Sequence, residues 1–185
     1  MLLSTALLSF VALATSFHSD PSNEPRALGY TGLRFSDGIN FTREMAPQRL
    51  CAGPSHLSQH RSHSGLPLAW TRDCRSLELA WRHSAVRGSF AIPATQLEKS
   101  SGFHTIVHHN TCNLAVASPR GYGISFGDTD VKRILYSAMQ RASHGSLMSA
   151  EGYLPCPDSN GLGNVVMTWQ LYGTAEPPKK KTKSG

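Results

Sequence analysis

Four cysteines, Cys51, Cys74, Cys112 and Cys156, follow an apolar leader, and together these constrain the fold more than anything else in the 185-residue chain. The leader runs from Leu2 to Ala14, with no charged side chain before His18. It is shorter than the roughly 20 apolar residues a membrane-spanning helix needs. It matches the h-region of a secretory signal peptide, and Ala12-Leu13-Ala14 is a small-x-small cleavage pattern. Residues 1–14 are therefore expected to be removed on export. An exported chain meets oxidising conditions, where an even cysteine count implies two disulfides with three possible pairings. No two cysteines have the close spacing of a zinc knuckle, so no metal or other cofactor is expected. No second apolar span follows the leader, which argues against a multi-pass membrane protein.

The formal charge of +6 suggests a nucleic-acid footprint only until it is located. Of the 18 basic residues, Lys179, Lys180, Lys181 and Lys183 lie in the last seven positions, which leaves fourteen against 12 acidic ones, or +2. The body then counts as nearly neutral, with no basic groove expected and nucleic acid disfavoured as a partner. Nine histidines make the charge pH-dependent, with an upper bound of +15 were all of them protonated. Contact with acidic cell-wall or membrane surfaces should then strengthen from pH 7 to pH 5.

Along the chain, residues 15–46 are polar and weakly periodic. They read as a loose mature N-terminus with one short strand near Leu33-Arg34-Phe35. Asn40-Phe41-Thr42 is a glycosylation sequon on Asn40; Asn110-Thr111-Cys112 is the rare cysteine variant. The Ser-, Gly- and Pro-rich stretch 53–65 reads as a surface loop. Asp73 is a plausible N-cap for a helix carrying Cys74, Leu77 and Trp81 on one face. Strands are expected at Ser89–Ile92, Phe103–His109 and Cys112–Ala117. The strongest local signal is the apolar stripe Val131, Ile134, Leu135, Ala138, Met139 and Ala142, capped by Asp128 and closed by Gly145 in a left-handed conformation. Strands near Met148–Pro155 and over Val165–Tyr172 end the domain, the latter with a clear period of two. The order gives an α+β domain over 47–173: an antiparallel sheet of about four to five strands with two helices on one face. A basic tail, 174–185, is expected to be disordered.

Several of these features recur together in one family. Cys51 is followed by Asp73-Cys74 opening a helix, by Asn110-Thr111-Cys112 leading an apolar strand, and by Ile124-Ser-Phe-Gly127 running into Asp130-Val131 at a helix head. Gly152 then precedes Cys156, and the chain closes on Val166-Met-Thr-Trp169. In order and spacing, residues 51–171 resemble the extracellular-protein-two family of secreted fungal effectors, homologues of the necrosis-provoking effector of the tomato leaf-mould fungus. Thr111 stands where that family usually has Gly, the 53–65 loop looks long, and the basic tail is not a family feature. The family in turn looks like the toxin called killer protein four, a sheet carrying two antiparallel helices. The resemblance implies a secreted, non-enzymatic effector, toxin-like, whose partner is a host protein or cell-surface component, and it supplies no catalytic residues. The expected disulfides are Cys51–Cys156, tying the first strand to the fourth, and Cys74–Cys112, tying the first helix to the sheet. Closing loops of about 100 and 40 residues stabilises by about 4.7 and 4 kcal/mol in the chain-entropy model.

The same sequence offers residues for rival chemistries. His56, His60 and His63 have the spacing of ligands on one helical face but lie in a loop-like segment, so a metal site lacks its geometry. Strand alternation places His104 and His108 on one face and His109 on the other. Such a pair, with Glu98 or an Asp nearby, is the basis of an alternative reading as a secreted ribonuclease; solvated histidines are the simpler one. A killer-type antifungal toxin is another alternative. There is no Gly-x-Ser-x-Gly elbow, and Gly121–Gly127 lacks the Lys-Ser/Thr ending of a phosphate loop. The tail Pro177-Pro-Lys-Lys-Lys-Thr-Lys183 has the form of a nuclear-import signal that would act after entry into a host cell; as a plain Lys run it is simply a solvated charge cluster.

Overall fold

A computed structural model describes residues 33–53, 56–59, 67–99, 102–143 and 145–174, the third of these segments beginning just before the first helix. In chain order its elements are β1 (Arg34–Phe35), β2 (Asn40–Arg43), β3 (His56–Gln59), β4 (Ala69–Trp70), α1 (Thr71–His83), β5 (Gly88–Ile92), α2 (Ala94–Lys99), β6 (His104–His109), β7 (Cys112–Ala117), β8 (Ile124–Gly127), α3 (Asp128–Ala142), β9 (Leu147–Met148), β10 (Ala150–Pro157) and β11 (Asn164–Gly173). The expected signal peptide over 1–14, His60, His63 and the lysines of the tail lie outside the described residues.

The α+β architecture is as expected: antiparallel pairing throughout, with α1 and α3 packed together on one face of the main sheet. That sheet has six strands in the order β1-β6-β7-β11-β10-β3. A three-stranded sheet, β2-β5-β8, and the short pair β4-β9 complete it. The period of two over β11 sets which side is which: Val165, Met167, Trp169 and Leu171 are buried beneath the helices, and Val166 and Thr168 are exposed. The stripe of α3 and Cys74, Leu77 and Trp81 of α1 close over them, forming one continuous apolar core.

Cys51 is bonded to Cys156 and Cys74 to Cys112, with sequence separations of 105 and 38. The first ties the segment before β3 to β10. The second ties the first turn of α1 to the start of β7.

Several local expectations differ from the structure. Within the supposedly loose 15–46 segment, the strand expected near Leu33-Arg34-Phe35 is β1, and the described part adds a second, β2. β1 pairs with β6, β2 pairs with β5, and Phe35 and Phe41 join Trp81, Phe90 and Phe126 in an aromatic cluster with centroid spacings of 4.8–6.2 Å. Within the expected loop 53–65, backbone pairing with β10 makes β3 a strand. A short helix, α2, follows Pro93.

Neither aspartate is an N-cap. α1 begins two residues before Asp73, and α3 begins at Asp128 after Gly127. Tertiary partners claim both side chains. Asp73 Oδ2 accepts from the Thr111 hydroxyl at 2.6 Å and its amide at 3.3 Å, and Asp128 Oδ1 accepts from the amides of Gln48 at 2.8 Å and Gly88 at 3.0 Å. Nor is Gly145 left-handed. α3 instead ends where the Ser143 hydroxyl turns back to the Met139 carbonyl, and the Gly145 carbonyl accepts from Thr71 Oγ1.

Candidate functional site

The histidine pair fails first. β6 carries an irregularity between Thr105 and Val107, where Ile106 has no partner in β7. An extra residue flips the side-chain alternation beyond it. His104 pairs with Val116 and His109 with Cys112, on the helix side of the sheet, whereas His108 pairs with Asn113 and Arg34 on the opposite side. The expectation that His104 and His108 share a face is therefore corrected: they lie on two faces and cannot act on one bond as acid and base. Burial lowers the pKa of His104, partly offset by a hydrogen bond with the Asp37 backbone. Burial, with Arg34 and His109 nearby, also lowers that of His108. These two therefore gain charge less readily than free histidines, and the +15 bound is not approached through them. Glu98 lines a separate cleft with Arg120 and Tyr122. Among the described residues no group of three His, Cys, Asp or Glu side chains could hold a metal ion.

The exposed face of the helix pair behaves differently. All four carboxylates on α1 and α3, those of Asp73, Glu78, Asp128 and Asp130, are buried. Asp130 Oδ2 accepts from the amides of Leu50 at 2.9 Å, Cys51 at 3.1 Å and Gly127 at 2.9 Å. Glu78 accepts from Arg82 one turn on. Arg72, Arg75, Arg82, Lys132 and Arg141 remain exposed, and Arg133 is half-buried against Asp130. A near-neutral count thus conceals a segregated charge, with anions turned into the fold and cations outward. The expectation of no basic groove is corrected accordingly. Counting misled because it weighs a buried, hydrogen-bonded carboxylate equally with a solvated guanidinium.

The geometry gives that charge a shape. Two adjoining clefts of about 730 and 340 Å³ share Arg75, Leu79 and Ser143 and form one groove along the seam between the antiparallel helices. At one end stands Trp70, with Arg72 over its ring at 5.4 Å. Its indole N–H is buried with no acceptor among the described residues. At the other end are Arg82 and Tyr136, the latter 52% exposed. Sequence reading missed this groove. The signal was present in the spacing of Arg72, Arg75, Leu79 and Arg82 on one face of α1, but the destination of the acids was not.

Asn40 is exposed at the start of β2, an edge strand of its sheet. Among the described residues no helix is long and apolar enough to cross a membrane. No curated protein matches the chain. Residues 50–156, more than half of the sequence and enclosing both long helices and all four cysteines, match the Hce2 family, described as "Pathogen effector; putative necrosis-inducing factor", and the chain belongs to that family.

Proposed function

We propose that this protein is a secreted effector that acts on, or is recognised by, host plant tissue, provoking necrosis by contact rather than by catalysis. The match of residues 50–156 to a family of pathogen effectors carries this reading. Two disulfides suit an oxidising extracellular space. Export would begin with loss of the leader after Ala14, and a glycan on Asn40 would project from an exposed edge. The split of His104 and His108 across the sheet removes the geometric basis of the ribonuclease alternative and favours the non-enzymatic one.

The test is infiltration of purified, oxidised mature protein into leaves, with fungal growth and RNA cleavage assayed in parallel. Local necrosis without RNA cleavage is expected. Growth inhibition of competing fungi without necrosis would assign the killer-toxin role instead. RNA cleavage abolished by His104→Ala or His108→Ala would restore the ribonuclease.

A further inference from the structure

The groove between α1 and α3 has a chemistry of its own. Three arginines line it, Arg72, Arg75 and Arg82. Arg82 is paired with Glu78 at the same end, whereas Arg72 lies 3.8 Å from Asp73 and Arg75 has no ion pair among the described residues. Lys132 and Arg141 add charge from the surface of α3. Hydroxyls of Ser76, Ser143 and Ser146 line the same groove. Trp70 contributes a half-buried ring edge and an unsatisfied indole donor. From Thr71 to Arg82 the helix rises roughly 16 Å, so the groove accommodates several units of an extended polymer rather than one small molecule.

We propose that the α1–α3 groove binds an acidic polysaccharide, with uronate carboxylates held by Arg72 and Arg75 and sugar hydroxyls by the serines. The planar guanidinium fork matches a carboxylate bidentately. The attraction depends on the ligand's carboxylates staying ionised and on low salt. A nucleic acid fits less well, because Arg72 already covers the Trp70 ring on which a base would stack. A lipid surface fits less well too, since the cations line a groove instead of flanking a projecting apolar loop. The proposal concerns the same surface contacts as the effector reading but stands without necrosis.

The experiment is titration calorimetry of the full oxidised chain with polygalacturonate. Its methyl-esterified form, vesicles of phosphatidylserine and phosphatidylcholine, and a ribonucleotide homopolymer are the comparisons. To separate the groove from the tail, one variant carries Gln at Lys179, Lys180, Lys181 and Lys183. Binding to polygalacturonate should survive that change, fall at least tenfold on esterification, and fall at least tenfold in Arg72→Gln/Arg75→Gln, whose melting temperature should match the parent. Lys99→Gln on α2 should change nothing. Equal affinity for the esterified polymer, tighter binding to vesicles or RNA, or loss of binding with the tail lysines alone would overturn the proposal. Binding without necrosis would keep it and sink the effector reading.

Discussion

The carboxylate of Asp130 accepts a hydrogen bond from the amide of Cys51 at 3.1 Å, across 79 residues of sequence. The same oxygen takes the amides of Leu50 and Gly127, and Arg133 approaches the other oxygen at 3.3 Å. The head of α3 therefore grips the backbone that leads into the Cys51–Cys156 bridge. Asp128 reinforces it through the amides of Gln48 and Gly88. This gives a physical reason for an Asp three residues after Gly127: it satisfies three backbone donors, two of them buried, at a point where the fold would otherwise leave them unpaired.

Asp130→Ala should therefore cost about 3 kcal/mol, the range expected when a buried charged partner is removed and its donors are orphaned. Urea unfolding of the oxidised protein at pH 7 measures it. A midpoint unchanged from the parent would mean that the grip is incidental.

Gly127 is required by space, not by conformation. A Cβ there would sit 2.0 Å from the Gln48 carbonyl oxygen, which is backbone and cannot swing away. Gly127→Ala should destabilise by about 1–3 kcal/mol, the usual cost of overpacking. Gly145→Ala is the contrast: its Cβ would meet only the Leu147 carbonyl, at 3.7 Å, and its backbone is not left-handed. That variant should lie within about 0.5 kcal/mol of the parent. The reverse ranking in thermal melts would contradict both assignments.

The disulfides make a chemical prediction. Non-reducing peptide mapping should recover Cys51 joined to Cys156 and Cys74 joined to Cys112. Replacing Cys51 and Cys156 together should lower stability by about 4.7 kcal/mol in the chain-entropy model, and the Cys74–Cys112 pair by about 4. A peptide linking Cys51 to Cys74 would show that the pairing is wrong.

His104 and His108 set the pH response. Both hold a proton less tightly in the fold than in the unfolded chain, chiefly because burial disfavours the charged ring. Below the unfolded value of about 6.5 the unfolded chain therefore binds more protons than the native one. Their stabilising effect is complete above that pH and is lost as pH falls through the lowered folded values. Urea midpoints should drop between pH 7.5 and pH 5, and His104→Gln should flatten the slope. A midpoint that rises toward pH 5 would rule this out.

Much of the fold was legible because its strongest signals are local. The stripe from Val131 to Ala142 is α3, and the alternation from Val165 to Leu171 is the buried side of β11. What was not legible depends on distant partners. Asp73 and Asp128 look like caps by composition, yet Thr111, Gln48 and Gly88 draw their side chains elsewhere. Phe35 and Phe41 look isolated in a polar segment until Phe90 and Trp81 are brought to them. The groove was hidden for the same reason: Arg72 and Arg75 were visible, but whether Asp73, Glu78, Asp128 and Asp130 would neutralise that surface depended on contacts up to 80 residues away. The irregularity at Ile106 has no sequence mark at all, and it alone separates His104 from His108.

The measurement that bears most directly on function is lesion area after leaf infiltration of equal doses of oxidised protein and of protein reduced and alkylated at all four cysteines. Necrosis from the oxidised protein and none from the alkylated one is the expected result, since host contact requires the folded, disulfide-bonded surface. No lesion from the oxidised protein, or equal lesions from both, would contradict it.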